Sequence, residues 1–402
     1  MTICGIIAEY NPFHLGHAYH LAETRRRLGG DAALVCAMSG NFVQRGDFAI
    51  VDKYDRAAMA VEGGADLVAE LPLPAALSSA EGFAAGGVSL LAALGCGFLS
   101  FGAECGEVQL LQQAADLMAR EGFQPLAAAA LRDGLSYPAA VQHAAAQLDP
   151  QAAALLSEPN NTLGIAYCAA IRGTGIRPMA VPRTGAGHDS EAAQDGFASA
   201  SYLRARMTEA FPKENAPCDP EWRAYLPEHA AGRLSQAVRE GRAPMLAAHC
   251  DTALLSQLRR LGPDGLREFA SSSDGFCNRL LHAIQKGNTF EETCAAAQTR
   301  RYPLARVRRT LLRAYLGLPE ALPVKAQYIR VLALSPRGAE VLRQARLPVI
   351  VKPVAERGLP EGLQPALRRD ALADALYALA APSAGQRSAG ARWKRTPFVR
   401  KP

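Results

Sequence analysis

Residues 5–17 read Gly5-Ile6-Ile7-Ala8-Glu9-Tyr10-Asn11-Pro12-Phe13-His14-Leu15-Gly16-His17. The apolar run at the start predicts a short buried strand that ends near Ala8, and Asn11-Pro12 predicts a turn. A helix is expected to begin close to His14. Because His14 and His17 are three residues apart, that helix would carry both imidazoles on one face of its first turn. The stretch therefore predicts a strand, a turn and a helix, in the order that opens a parallel α/β sheet.

The first turn of this helix has the features of a phosphate site. Backbone N–H groups and the helix dipole favour an anion at a helix N-terminus. Gly16 has no side chain, which lets the backbone approach a ligand closely. Two imidazoles there can donate hydrogen bonds to phosphate oxygens as negative charge develops during attack on the α-phosphorus of a nucleotide. Histidine pairs at this spacing are often structural, but the position directly after a first strand favours a nucleotide site.

The remaining sequence up to residue 210 continues the α/β pattern. Short apolar runs bounded by Gly, Asn, Asp or Pro predict buried strands at 3–8, 32–38, 66–71, 98–101 and 176–181. Helical spacing lies between them at 17–28, 51–63 and 78–94, over most of 108–170, and at 201–210. Strands that alternate with helices predict a parallel sheet whose ligands bind beyond the carboxyl ends of the strands.

Three parts are predicted along the chain. Residues 1–210 form a Rossmann-like domain with a parallel sheet, and the proline-containing segment 211–220 is the predicted boundary. Residues 221–382 are predicted to be mostly helical, with a small α/β element at 328–352. Residues 383–402 lack periodicity and are expected to be a mobile basic tail. The predicted fold class is therefore an α/β domain followed by a mostly helical C-terminal region.

Charge is unevenly distributed along the chain. Residues 300–402 contain 21 Lys and Arg against 6 Asp and Glu, whereas residues 1–299 contain 23 against 32. A basic C-terminal third is typical of proteins that bind a polyanion, although an Arg-rich solvated surface gives the same composition. Two stretches mix arginine with an aromatic residue, as contacts to RNA phosphates and bases require. They are Thr299-Arg300-Arg301-Tyr302-Pro303-Leu304-Ala305-Arg306-Val307-Arg308-Arg309 and Arg392-Trp393-Lys394-Arg395.

Composition and missing motifs exclude several classes of protein. The nine cysteines are odd in number and include no Cys-x-x-Cys pair, which favours a reducing cytosol over a disulfide framework or a zinc site. The N-terminus does not resemble a signal peptide, and no apolar run approaches the roughly 18 to 20 residues of a membrane helix. We therefore expect a soluble, cytoplasmic protein that does not associate with a membrane. P-loop, dinucleotide-binding and zincin motifs are absent from the sequence.

Several segments carry a resemblance to a known family. The segment ending at His17 resembles the His-x-Gly-His signature of the nucleotidyltransferase superfamily, which also includes the class I aminoacyl-tRNA synthetases. With the segments that follow it, most of the chain resembles the bacterial tRNA(Met) cytidine acetate ligase family. Those segments are Met38 to Gly46, Lys53 and Arg56, Glu70-Leu71-Pro72, Phe101-Gly102-Ala103-Glu104, Pro159 to Gly164 and Val181-Pro182-Arg183.

The resemblance implies an activity and a nucleotide site. A member of this family makes acetyl-adenylate from acetate and ATP and transfers the acetyl group to the wobble cytidine of elongator tRNA(Met), giving N4-acetylcytidine, AMP and pyrophosphate. Asn160 offers a donor and an acceptor, and Arg183 offers a planar fork for phosphate. On spacing alone, Asn160 could also belong to an ordinary turn. By the resemblance, ATP is expected to contact Ile7, Ala8, Glu9, Tyr10, Asn11, Pro12, Phe13, His14, Leu15, Gly16, His17, Ala18, Tyr19, His20, Gly102, Asn160 and Arg183.

A second phosphate motif is indicated at Ala198-Ser199-Ala200-Ser201-Tyr202-Leu203-Arg204. By its resemblance to the superfamily motif, Ser199 and Ser201 would hold the β- and γ-phosphates and Arg204 would neutralise the departing pyrophosphate. Ser201 could instead cap the following helix. His14, His17 and Arg204 are the expected catalytic residues. Mg²⁺ is expected as the phosphate counter-charge, but no acidic cluster identifies its ligands and no residue is assigned to a metal.

Other interpretations stay open on the sequence alone. The same adenylating half would serve a ligase that acetylates a carrier-protein thiol, or an adenylyltransferase acting on a phosphorylated vitamin precursor. A non-catalytic RNA-binding protein would need the basic surface alone. His188 and Asp189 could suggest acid–base chemistry, although an ionised carboxylate needs no general base. Cys277, within Asp274-Gly275-Phe276-Cys277-Asn278-Arg279, stands where the family is expected to have Glu. The sequence does not indicate an oligomeric state.

Overall fold

The computed structural model describes residues 1–183, 197–210, 221–270 and 275–401. Its strands in these ranges are β1 (Ile3–Ala8), β2 (Ala33–Met38), β3 (Phe42–Val43), β4 (Asp47–Phe48), β5 (Leu67–Glu70), β6 (Phe98–Ala103), β7 (Arg177–Pro182), β8 (Ile329–Leu334), β9 (Val349–Ile350) and β10 (Phe398–Val399).

The α-helices fill the space between the strands and most of the second half of the chain. They are α1 (Leu15–Leu28), α2 (Lys53–Glu62), α3 (Leu73–Ala76), α4 (Ala80–Ala93), α5 (Val108–Met118), α6 (Phe123–Arg132), α7 (Tyr137–Leu148), α8 (Pro150–Leu155), α9 (Pro159–Ala170), α10 (Ala200–Ala210), α11 (Glu228–Arg239), α12 (Asp251–Leu266), α13 (Phe276–Lys286), α14 (Phe290–Ala297), α15 (Leu304–Leu316), α16 (Pro336–Leu342), α17 (Gln364–Ala378) and α18 (Ala391–Lys394). Of the helices described, each is too short or too polar to cross a membrane.

The main sheet has the strand order β10-β8-β5-β2-β1-β6-β7, and β9 also pairs with β8. The pairs β5–β2, β2–β1, β1–β6 and β6–β7 are parallel. This confirms the predicted α/β class, with the parallel strands close to the predicted positions. Strand β8 runs antiparallel to β5, so the complete sheet is mixed.

Residues beyond 221 contribute to the same sheet. The element predicted at 328–352 is present as β8, α16 and β9, but β8 extends the N-terminal sheet. The sequence predicted a mobile tail at residues 383–402. In the structure, Phe398 and Val399 of this segment form β10 and pair with β8. Periodicity can reveal a strand but not its partner, and a two-residue strand has no periodicity. The division into domains stays a prediction.

Apolar residues pack on both faces of the sheet. Ile3 and Ile7 of β1 belong to a cluster with α4, α5 and α9, whereas Cys4 and Ile6 belong to a cluster with α1, α2, α10 and α11. This alternation follows from the two-residue period of a strand. A third cluster joins α12–α15 and α17 to Phe42 and to other residues of the β3–β4 hairpin and α3. The β3–β4 hairpin therefore packs against the C-terminal helices and takes part in their contact with the N-terminal half of the chain.

A buried ionic network joins the sheet to α17. Lys53 Nζ lies 2.8 Å from Glu70 Oε1 and 2.8 Å from Asp374 Oδ1. Arg330 of β8 lies 3.3 Å from Glu70 Oε2 and 2.7 Å from Glu356 Oε1. Burial by itself would lower the pKa of Lys53, but the carboxylates of Asp374 and Glu70 raise that pKa above its ordinary value. Lys53 is therefore held charged inside the protein by residues from both halves of the chain.

Candidate active site

The turn between β1 and α1 has an unusual backbone. Tyr10 has a φ of 49°, and the Asn11–Pro12 peptide is cis. A left-handed conformation at a non-glycine residue costs on the order of 1–3 kcal/mol and persists only where surrounding contacts impose it. Here the Tyr10 ring is buried, its centroid lies 4.8 Å from that of the His17 ring, and its hydroxyl lies 3.4 Å from Cys36 Sγ. Contacts of the Tyr10 ring with His17 and of its hydroxyl with Cys36 therefore hold the turn in this conformation.

His14 and His17 form a reciprocal cap at the start of α1. His14 Nδ1 accepts a hydrogen bond from Gly16 N at 3.1 Å, and His17 Nδ1 accepts one from His14 N at 3.3 Å. The two rings stack with their centroids 3.7 Å apart. Because each Nδ1 accepts, each neutral ring must carry its proton on Nε2. Both imidazoles therefore have their donor on the edge remote from the helix backbone.

Gly16 is enclosed by the first of these histidines. A Cβ at Gly16 would lie 3.0 Å from His14 Cε1 and 3.1 Å from His14 Nδ1, and 4.0 Å from Phe197 Cδ1. The first two distances are tighter than ordinary van der Waals contact. A side chain here would displace the capping ring, which gives a reason for glycine in addition to the close approach of a ligand.

The second motif lies beside the first. Arg204 Nη1 donates to Asn11 O at 2.9 Å, and Arg204 Nη2 donates to Ser201 Oγ at 3.2 Å. Helix α10 is capped by Ser199, whose Oγ accepts from Tyr202 N at 3.0 Å. The cap suggested at Ser201 is therefore wrong, because Ser201 already lies in the first turn of the helix. The N-termini of α1 and α10 meet around Asn11 and Arg204.

A third group of predicted residues lies at the carboxyl ends of β6 and β7. Arg183 Nη1 lies 3.4 Å from Asn160 Oδ1, and a Cβ at Gly102 would lie 3.4 Å from Arg183 Cγ. Asn160 Nδ2 donates to Glu104, which also accepts from Asn161 N at 2.8 Å. Asn160 lies in the first helical turn of α9 and not in the ordinary reverse turn that spacing alone also allowed. Glu104 was part of a quoted motif but was not predicted as a site residue.

Not every residue predicted to contact ATP presents its side chain at the surface. The side chains of Ile7 and Phe13 lie inside the two apolar clusters that cover the sheet. Only their backbone groups are placed to meet a ligand. Asn11 is also buried, and its Oδ1 accepts from Ile50 N at 2.8 Å. In contrast, Tyr19 is exposed on α1.

Two buried polar atoms near the turn have no hydrogen-bond partner within the described ranges. They are Asn11 Nδ2 and Ser39 Oγ. Leaving such a group unsatisfied costs about 1–3 kcal/mol, and a polar ligand offers one explanation for its retention. Together with the close approach at Gly16, these donors fit a phosphate-bearing ligand. Within the described residues, no group of three or more His, Cys, Asp or Glu side chains could hold a metal ion.

Arg56 belongs to the segments that resemble the family, but no role was predicted for it. In the structure it has a structural role. Its guanidinium is fully buried (0% exposed). It donates to Val51 O at 3.0 Å, to Ser39 O at 3.1 Å, and also to Glu9 O and Gly40 O. Arg56 therefore ties the chain just after β1 to the chain just after β2. A lone arginine in a helical pattern gives no signal of this function.

His20 is within the predicted ATP-contacting segment, but it faces the sheet. Its Nε2 lies 2.9 Å from Ser100 Oγ, which in turn lies 2.8 Å from Thr24 Oγ1. Burial lowers the pKa of His20 to about 4, and the positive charges of Arg183 and Arg27 lower it as well. His20 is therefore neutral at neutral pH.

We expect His20 to make the protein sensitive to acid. Between the ordinary pKa of about 6.5 and the folded-state pKa of about 4, the unfolded chain binds the proton more tightly. The free energy of unfolding should therefore fall as pH falls through this window, by up to about 3 kcal/mol. Urea unfolding at pH 7.5 and 4.5 measures this. His20→Gln should show a smaller loss than wild type, and His143→Gln, at an exposed histidine of α7, should not. Equal losses in all three would contradict the assignment.

A cleft of about 1340 Å³ opens from the turn region. Glu9 and Arg204 line this cleft, as do residues from the hairpin, α4, α5–α9 and α15, whereas His14, His17, Asn160 and Arg183 are not among its lining residues. Seven arginines line it: Arg45, Arg204, Arg301, Arg306, Arg308, Arg309 and Arg313. The first arginine-rich stretch predicted from the sequence therefore lines this cleft.

Some of these basic residues have structural contacts. Arg308 pairs with Glu291 and lies 3.5 Å from Asp47, and Arg309 Nη1 donates to Gln44 O at 3.1 Å. Base stacking on Tyr302 is not supported, because this ring is 6% exposed and packs 4.7 Å from Phe276. The buried ring instead supports the helix that carries the arginines.

Several other predicted features lie away from the cleft or outside the described residues. In the second basic stretch, Arg395 pairs with Asp52 at 2.7 Å. Cys277 is buried within α13, and Arg279 Nε donates to Ala297 O at 2.7 Å, so these two residues have structural surroundings. His188, Asp189, Asp274 and the proline-rich boundary at 211–220 lie outside the described residues.

Comparisons with known proteins agree with this arrangement. Residues 1–391 match the family described as HIGH Nucleotidyl Transferase. The chain is 34% identical to the tRNA(Met) cytidine acetate ligase of Acetivibrio thermocellus over 88% of both chains. It is 37% identical to the protein of that name from Syntrophotalea carbinolica, over 86% of this chain and 83% of the other.

Solved structures show the same fold. Crystal structures of Thermotoga maritima TmcAL, in an apo form and bound with alpha-thio ATP, each match with a TM-score of 0.90 at 28% identity over 99% of both chains. The family model covers the nucleotide motifs and strands β8 and β9 alike. The chain belongs to the HIGH nucleotidyltransferase family and, within it, to the tRNA(Met) cytidine acetate ligases.

Proposed function

We propose that the protein activates acetate with ATP and acetylates the wobble cytidine of elongator tRNA(Met). The observation that carries this proposal is the meeting of two helix N-termini, those of α1 and α10, around His14, His17 and Arg204. Helix N-termini bind phosphate groups, and a relative's structure contains an ATP analogue. We expect the reaction to take place in the cytoplasm. The free state of the eight cysteines that the structure describes fits a reducing compartment.

The first step forms a mixed anhydride. A carboxylate oxygen of acetate attacks the α-phosphorus of ATP, the bond from this phosphorus to the bridging oxygen breaks, and pyrophosphate leaves. Nε2–H groups of His14 and His17 would donate to phosphate oxygens as charge develops, and Arg204 would balance the leaving group. Acetate is already ionised, so positioning and charge stabilisation suffice for this step.

The second step transfers the acetyl group to RNA. The exocyclic N4 of cytidine attacks the acetyl carbonyl carbon, AMP leaves with the electron pair of the broken C–O bond, and the nitrogen loses one proton. The cluster of Gly102, Asn160, Arg183 and Glu104 at the ends of β6 and β7 is where we expect the nucleoside part of the adenylate. This placement follows from the position of ligands beyond the carboxyl ends of parallel strands.

Mg²⁺ is included in the proposal as a counter-charge for the triphosphate. Mg²⁺ commonly retains several waters and takes its remaining ligands from substrate phosphates and one or two carboxylates. The described residues contain no cluster that would bind the ion without the nucleotide. We therefore expect it to arrive with ATP.

Pyrophosphate exchange tests the proposal. The protein should incorporate labelled pyrophosphate into ATP only when acetate is present. Addition of tRNA(Met) should then yield N4-acetylcytidine, detected by mass spectrometry of the digested nucleosides, and a transcript with uridine at the wobble position should not react. Acetylation of a carrier-protein thiol, acetate-independent exchange on a vitamin precursor, or RNA binding without exchange would each support one of the alternatives and contradict this proposal.

A further inference from the structure

The two walls of the cleft differ in chemistry. One wall, formed by α15 and the segment before it, presents Arg301, Arg306 and Arg309. The other wall, formed by α5–α9, presents mainly apolar side chains. Among its residues are Met118, Leu131, Leu135, Tyr137, Pro138 and Leu156. We call these six residues the apolar wall.

Tyr137 is the aromatic residue of this apolar wall. It is the first residue of α7, and the residue is 43% exposed. Burial raises the pKa of the Tyr137 hydroxyl, and the nearby carboxylate of Glu81 on α4 raises it further. Glu81 also lines the cleft. The ring is thus exposed in the cleft, close to a carboxylate from a different helix.

This asymmetry matches one kind of nucleic acid. A single strand has phosphates along one side and flat, weakly polar base faces that stack on aromatic side chains. A duplex presents phosphates outward from both strands and its bases are paired, so it has little to offer an apolar wall. Glu9 and Arg204, which belong to the predicted nucleotide motifs, are also among the residues that line the cleft. If the target nucleotide reaches the adenylate from the cleft, the nucleotides next to it in the RNA therefore lie along these walls.

We propose that the cleft holds an unpaired segment of the RNA substrate, with its phosphates toward the arginines of α15 and its bases on the apolar wall, where Tyr137 stacks on a base flanking the target cytidine. This inference rests on the function proposed above and assigns a substrate-binding role to the helices at 108–170. No role for these helices was predicted from the sequence. It also makes Tyr137 a residue that recognises RNA without taking part in adenylate formation.

The experiment compares full-length variants at one position. Tyr137→Ala removes the ring, Tyr137→Leu keeps apolar volume without a flat face, and Tyr137→Phe keeps the ring without the hydroxyl. Leu148→Ala, at the other, exposed end of α7, is the matched control. Each protein is titrated with an anticodon stem-loop RNA carrying 2-aminopurine beside the target cytidine, and with a fully paired RNA of equal length. Acetate-dependent pyrophosphate exchange is measured without RNA.

Stacking predicts a specific pattern. Tyr137→Ala and Tyr137→Leu should weaken stem-loop binding about ten-fold and lose the quenching of 2-aminopurine. Tyr137→Phe and Leu148→Ala should bind as wild type does, and exchange should be unchanged in all four. Equal stem-loop affinity for Tyr137→Ala and wild type would overturn the inference, as would a paired RNA that binds as tightly as the stem-loop. Wild type that shows no acetate-dependent exchange would instead overturn the proposed function.

Discussion

Replacement of His17 by alanine is expected to reduce acetate-dependent pyrophosphate exchange by about 10²- to 10³-fold, the usual effect of losing one preorganised donor to a developing charge. The Nδ1 of His17 accepts from the His14 amide at 3.3 Å, so the neutral ring carries its proton on Nε2, the nitrogen that we propose donates to a phosphate oxygen. Affinity for tRNA should stay within about two-fold of wild type, because the RNA contacts we propose come from α15 and the apolar wall.

A second variant separates catalysis from capping. His17→Asn retains a side-chain acceptor for the His14 amide but does not place a donor where the Nε2–H group lies. It should therefore unfold close to the wild-type urea midpoint and still lack exchange. Combined loss of exchange and tRNA binding in a folded His17→Ala protein would contradict the assignment of the two tasks to separate residues.

Lys53→Met is expected to destabilise the protein by about 3–5 kcal/mol, the usual result of removing one partner from a buried ion pair. Lys53 and its partners are nearly inaccessible, and its Nζ lies 2.8 Å from an oxygen of both Glu70 and Asp374. Without the ammonium group, two carboxylates from opposite halves of the chain remain buried next to each other. Urea unfolding at pH 7.5 measures the loss.

Two controls accompany the Lys53 variant. Arg172→Met removes the exposed pair with Asp116, in which the side chains are 41% and 68% exposed, and should cost less than about 1 kcal/mol. Adding Asp374→Asn to Lys53→Met should recover part of the stability, since one uncompensated charge is removed. Equal effects of Lys53→Met and Arg172→Met would show that the network does not hold the sheet to α17.

Much of the fold was predictable because parallel strands buried on both faces have a continuous apolar pattern. This held for β1, β2, β5 and β6. The role of β8 was not predictable, because its apolar pattern would suit a small separate sheet equally well. The pairing partner depends on contacts between residues far apart in the sequence, such as Leu67 and Leu334, and local periodicity does not contain this information.

The candidate site was predictable where a motif is local, and less so where side chains converge through the fold. The His14–His17 pair was evident because the chemistry and the helix start occur together in four residues. Arg56, which binds four backbone carbonyls, and Glu104, which caps α9, act on segments distant in sequence. The stacking role assigned to Tyr302 was wrong for a related reason: the composition of a stretch does not show which of its residues the core will bury.

The proposed nucleotide site is tested most directly by a crystal structure of the protein with a non-hydrolysable ATP analogue. We expect the phosphates at the N-terminus of α1, within hydrogen-bond distance of Nε2 of His14 and His17, with Arg204 beside the terminal phosphates. An analogue bound elsewhere, with both imidazoles out of contact with any phosphate, would contradict the assignment of the nucleotide site to this helix start.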